Sequence, residues 1–315
     1  MNSQLSPFAE YFHPSTFRRG VLLVLLVLVL GGCAGVKVSP LETKDYMVSR
    51  RGDVLTTGEL SASVGTALQV VGIDQASCEK AAAACRKTLG DSRALGDEQR
   101  LSVLAEIWLQ EGLRGDREVQ TEPQTEAMLD AYLESARHAY AYLFMTERTV
   151  GQRALDDRQT QVRDYYNFAV QQALTGLFRL YQDNPPRATD GQGNFLLRAG
   201  GWDVHGTVGD VRLAGDRDLP REMIPAASLS FKGLRNQYRR DGLGAELVAM
   251  TARRVVGKNS AEQAWSETPF PALTAVASFP GTTLEEVLST TKVQIVAYDP
   301  FRQDSITLAG REIPL

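Results

Sequence analysis

Histidine and cysteine are scarce in this chain, three of each among 315 residues. The cysteines (Cys33, Cys78, Cys85) are too few and too scattered for a zinc site, which draws on four nitrogen or sulfur ligands. No metal and no cofactor is therefore expected. Motifs that carry chemistry are missing as well. There is no G-x-S-x-G elbow to lift a serine hydroxyl above a sheet, and no HExxH or EF-hand spacing. GLGAEL at 242–247 lacks the third glycine of a dinucleotide loop and follows YRRD where an apolar strand is needed; GKNS at 257–260 lacks the upstream glycine of a phosphate-binding loop. A net charge of -4 offers no general attraction to a polyanion, so nucleic acid is not an expected partner. Long apolar runs are also rare. The longest is Val21–Leu30, ten residues of valine and leucine alone.

As a helix, that run rises about 15 Å, half of the roughly 30 Å hydrocarbon core, so a membrane-spanning helix is disfavoured. Arg18 and Arg19 stand just before it and small residues come after, the layout of a secretory signal. The run ends in Leu30-Gly31-Gly32-Cys33. This tetrad resembles the lipobox of bacterial lipoproteins, which implies cleavage before Cys33 and lipid attachment to it. An uncleaved short anchor, or a signal cut near Ala34, are the competing readings. Three acyl chains on Cys33 would exceed the two that suffice for stable anchoring. Ala34 stands where an aspartate would retain a lipoprotein at the inner membrane, so the resemblance implies an outer-membrane protein facing the periplasm, palmitoylated at Cys33.

With Cys33 acylated, Cys78 and Cys85 remain as an even pair in an oxidising compartment. Seven residues apart in one straight helix, they would be separated by about 10.5 Å, beyond the ~7 Å reach of a disulfide. Either the helix breaks between them and a bond closes, or both thiols stay free. The alanine run in SCEKAAAACRK favours the helix, the compartment favours the bond, and the reading adopted is the disulfide.

The spacing of apolar residues divides the remainder. Residues 1–32 read as the signal peptide and 33–58 as a lipidated tether. Residues 59–183 read as a helical module, with stripes Leu60/Val64/Leu68/Val71, Leu101/Leu104/Ile107/Trp108, Leu129/Leu133/Ala136/Tyr140 and Val162/Tyr165/Ala169/Ala173. Gly72 is a stop for the first helix. Gly112 and Gly115 are expected to end the second, Thr125 to cap the third, and NPPR at 184–187 to close the run. Residues 184–315 then read as a β-rich module. Strands are expected at Trp202–Val208, Val211–Leu213, Ala227–Phe231, Glu246–Ala252, Leu273–Phe279 and Lys292–Tyr298, with a final hairpin in DSITLAGREIPL. The fold class expected is α+β.

Two histidines remain as general-base candidates. His138 sits at the margin of a helix stripe and reads as a packing residue. His205 has Asp203 two residues away on the same strand face, a pair able to orient an imidazole, but no nucleophile is placed for it. One charge cluster is local: Lys232, Arg235, Arg239, Arg240, Arg253, Arg254 and Lys258 lie against Asp241 and Glu246. It reads as a solvated face or a contact for an acidic neighbouring domain, with anionic lipid headgroups as the alternative partner.

Four stretches, YMVSRRGDVLTTGELS (46–61), RDYYNFAVQQAL (163–174), FKGLRNQYRRDGLGAELVA (231–249) and VQIVAYDPFRQDSITLAGREIPL (293–315), resemble the N-terminal half of bacterial lipoproteins that end in an α/β-hydrolase domain. The resemblance implies an accessory region preceding a serine hydrolase of carboxylic esters. The catalytic serine and its partners would lie beyond Leu315, so no catalytic residue carries over and this chain is expected to be inactive alone. The alternative is a stand-alone scaffold lipoprotein whose helical module docks a periplasmic partner.

Overall fold

The computed structural model describes residues 52–117, 122–148, 152, 156–181, 194–208, 222–228, 242–250 and 271–315. The signal, Cys33 and most of the tether, the strand expected at Val211–Leu213 and the whole basic cluster lie outside them.

Helices come first: α1 (Ala62–Val70), α2 (Gln75–Lys80), α3 (Ala82–Asp91), α4 (Asp97–Arg117), α5 (Glu122–Phe144) and α6 (Asp157–Leu180). Local chemistry sets several boundaries. Asp74 caps α2 by accepting the Ser77 N–H at 2.9 Å, and Asp156 caps α6 through the Arg158 N–H, also at 2.9 Å. α5 begins three residues before Thr125, with Pro123 in the first turn, where a helix does not use the missing N–H.

α4 runs through Gly112 and Gly115 without ending. A Cβ at Gly112 would lie 2.6 Å from the Tyr132 ring of α5, so this glycine serves close helix approach and not termination. α4 is also buried on two sides. Leu101, Ala105 and Leu109 join the main core, while Val103, Leu104 and Ile107 close a second cluster with α1–α3. The expected single stripe on this helix is thus two. The turn between α2 and α3 falls at Ala81 (φ -128°, ψ 54°), which brings the Cys78 and Cys85 Cα atoms to 5.1 Å, joined by a disulfide inside the second cluster.

The strands are β1 (Asn194–Ala199), β2 (Trp202–Thr207), β3 (Glu222–Pro225), β4 (Ala245–Met250), β5 (Ala272–Ser278), β6 (Lys292–Tyr298), β7 (Ser305–Leu308) and β8 (Arg311–Pro314), with α7 (Leu284–Ser289) before β6. Six form one mixed sheet in the order β1-β2-β6-β5-β4-β3, antiparallel except for the β2–β6 pair; β7 and β8 form a separate hairpin. Of the strand expected at Ala227–Phe231, the first two residues belong to a 3-10 turn, Ala226–Ser228, after β3, and 229–231 lie outside the described residues.

The protein is α+β, helical first and β-rich after. The two parts share one core: Leu129, Tyr165, Ala169 and Phe178 from the helices join Phe195, Val204, Ala275 and Ile295 from the sheet. α5 packs on α4 and α6, and α6 crosses β3, β4 and β5. No helix among the described residues is long and apolar enough to cross a membrane.

Candidate functional site

α6 organises the polar interior. Gln161 and Tyr165 are one turn apart and therefore share a face. Both reach Asp53 in the turn before α1: Gln161 Nε2 donates to Asp53 Oδ2 at 2.8 Å and the Tyr165 hydroxyl at 3.2 Å. The other Asp53 oxygen accepts the N–H of Leu55 at 3.2 Å and of Thr56 at 3.0 Å, closing the chain into an Asx-type turn. Eight residues on, Ser61 donates its N–H (2.7 Å) and hydroxyl (2.6 Å) to Glu106 of α4. Asp53, Val54 and Ser61 are buried, so the segment expected to finish a tether is part of the body.

Glu106 is fully buried. Loss of water pushes its carboxyl above the usual range; the Ser61 bonds oppose this and the nearby Asp53 charge adds to it. Tyr165 is raised for the same leading reason, with Glu106 and Asp53 contributing.

The adjacent face of α6 holds the sheet. The Tyr166 hydroxyl donates to the Ala277 carbonyl and accepts the Ala277 N–H at 2.8 Å, so one phenol serves both backbone groups of β5. Asn167 does the same at the entry to β4: its Nδ2 donates to the Gly242 carbonyl at 3.0 Å and its Oδ1 accepts the Gly244 N–H at 2.7 Å. Gly244 has φ +132°, and a Cβ there would lie 2.6 Å from Thr274 Cγ2. GLGAEL thus has structural glycine, with its N–H and carbonyl groups engaged by Asn167 and by the Leu243-to-Pro314 bond of 2.9 Å. Two of the other stretches that carry the family resemblance meet 163–174 on α6, 46–61 through Asp53 and 231–249 through Gly242 and Gly244, while 293–315 is tied to 231–249 through the Pro314 carbonyl.

Beside this joint, between the end of α5, the start of α6 and β8, lies a cavity of about 230 Å³. Leu143, Phe144, Leu243 and Ile313 give it an apolar lining, and Gln159, Arg163 and Arg311 also line it.

His138 is buried in α5. Its Nδ1 lies 2.8 Å from the Glu134 carbonyl, which only accepts, so Nδ1 carries the proton of a neutral ring. Burial, with the Arg137 charge second, lowers its pKa to about 4. Glu134, 3.7 Å from the ring, is engaged by Arg137. His205 is exposed on β2, and Asp203 pairs with Arg198 at 3.0 Å, so the carboxylate that could orient the imidazole is engaged elsewhere. Cys78 and Cys85 sit in the second core cluster, away from α6. Lys232, Arg235, Arg239, Arg240, Arg253, Arg254, Lys258 and Cys33 lie outside the described residues. Among the described residues, no group of three or more His, Cys, Asp or Glu side chains is arranged to hold a metal ion.

Asp53, Glu106, Gln161 and Asn167 were not singled out from the sequence. Asp53-x-x-Thr56 is a turn signature, and Glu106 and Gln161 are polar residues inside apolar stripes; these were the available signals. None of the protein-family comparisons, the curated proteins or the solved structures compared with this chain gives a match.

Proposed function

We propose that the chain is a lipoprotein anchored through Cys33 in the outer membrane, facing the periplasm, and that it forms the accessory region of a serine hydrolase of carboxylic esters. The observation that carries this reading is the convergence at α6. The four stretches that carry the family resemblance, spread from Asp53 to Pro314, are bonded one to the next around this helix: Tyr165 to Asp53, Asn167 to Gly242 and Gly244, and Leu243 to Pro314. Residues used to hold a region together explain a shared pattern that contains no catalyst. The catalytic serine is then supplied by a domain or partner outside these 315 residues.

Two measurements test it. Palmitate labelling of cells expressing the chain is expected to vanish in Cys33→Ser and to persist in Cys78→Ser. A fluorophosphonate probe, which marks activated serines, is expected to label a species that copurifies with the chain and to leave the chain itself unlabelled. Labelling of the isolated chain, or no labelled species in the complex, would overturn the hydrolase part of the proposal.

A further inference from the structure

The cavity beside α6 has a composition that selects a ligand. An apolar cavity of roughly 150 Å³ takes up a benzene. In proportion, about 230 Å³ accommodates roughly nine non-hydrogen atoms. Leu143, Phe144, Leu243 and Ile313 offer such a body an apolar surface.

The polar side of the lining is cationic. Arg163 of α6 and Arg311 of β8 both contribute to it. Arg311 uses one N–H on the Leu143 carbonyl at 3.3 Å, and a guanidinium has five. The carboxylate that also lines the cavity, Glu312, accepts the Ser305 hydroxyl at 2.8 Å. Arg163 has Asp164 beside it at 3.6 Å. Gln159 adds a separate observation. Its side-chain oxygen is buried with no hydrogen-bond partner among the described residues. Turning the amide by 180° presents two N–H donors in its place.

Apolar walls with two guanidiniums and an amide suit a short carboxylate. We infer that this cavity binds a medium-chain carboxylic acid of about nine non-hydrogen atoms, its chain against Leu143, Phe144, Leu243 and Ile313 and its carboxylate toward Arg163 and Arg311. The inference does not depend on the hydrolase reading.

The test uses the full chain in phospholipid nanodiscs, titrated calorimetrically with heptanoate and with heptanol, empty discs being subtracted. Saturable one-site binding of heptanoate is expected, at least tenfold tighter than heptanol. Arg163→Gln and Arg311→Gln are each expected to weaken heptanoate at least fivefold and leave heptanol unchanged. Thr160→Trp, which places an indole at the cavity wall, is expected to abolish both. Far-ultraviolet circular dichroism confirms the fold of each variant, and the two arginine variants carry the test if Thr160→Trp does not fold. The inference is overturned by non-saturable uptake, which would mark partition into the lipid. It is equally overturned by equal affinity for acid and alcohol, or by heptanoate binding unchanged in both arginine variants.

Discussion

A single buried imidazole shows how far one residue's chemistry reaches. His138 is held neutral, donating to the Glu134 carbonyl, with Arg137, Arg100 and Arg86 raising the electrostatic cost of a second proton. Because its pKa falls on folding, the associated stability is complete above the unfolded value of ~6.5 and is lost as pH drops toward about 4. Between about pH 7 and pH 4.5 this group alone should cost about 2.5 kcal/mol. Urea unfolding at the two pH values reads it, and His138→Gln is expected to remove that part of the pH dependence. A variant that keeps the full slope would place the pH sensitivity in other groups. Glu106 acts in the opposite direction: its raised pKa adds stability that is present at low pH and fades as pH rises through the native value.

At the scale of elements, α6 is a scaffold because adjacent residues point to different neighbours. Tyr165 faces the turn at Asp53, Tyr166 faces β5 and Asn167 faces the entry to β4. Replacing Asn167 by leucine keeps the branched shape but leaves the Gly242 carbonyl and the Gly244 N–H without their partner. The expected loss is about 2–3 kcal/mol in urea unfolding. Faster hydrogen exchange at the Gly244 amide would locate the damage, and unchanged exchange there would refute the assigned role.

The helices were legible because their stripes repeat at the period of the helix. Trp202–Thr207, Ala272–Ser278 and Lys292–Tyr298 were legible from β-branched and aromatic content. β1 was not read, since Phe195, Leu196 and Leu197 run together and Leu196 is 55% exposed, which hides the alternation. α7 carried a capping box in Thr283 and Glu286 but has only six residues, too short for a stripe. The joint at α6 was illegible for a different reason. Its bonds connect residues about a hundred positions apart, and no local period encodes such pairings.

On the scale of the whole molecule, two cores make two regions of unequal size. The small cluster of α1–α3 rests on the outer side of α4 and contains the Cys78–Cys85 bond. With seven residues of separation, loop-closure entropy assigns the bond about 2.5 kcal/mol. In Cys78→Ala/Cys85→Ala, hydrogen exchange is expected to quicken across α1–α3 and to stay slow in α5 and α6, which belong to the main core. Uniform acceleration would show that the molecule unfolds as a single unit.

The buried Asp53 also has a mechanical consequence. Under the proposed Cys33 anchor, twenty residues separate the lipid from Asp53, the first point gripped by α6 among the described residues, an extended reach of about 70 Å at most. With that anchor, a pull on the chain before Asp53 would pass from its carboxylate, through Gln161 and Tyr165, into the longest helix among the described residues. Should that grip fail while Ser61 holds to Glu106, eight more residues are released and the leash lengthens by about 28 Å. Under that proposed anchor the turn would act as a strain-relief clip, its hydrogen bonds setting the length of chain free to extend.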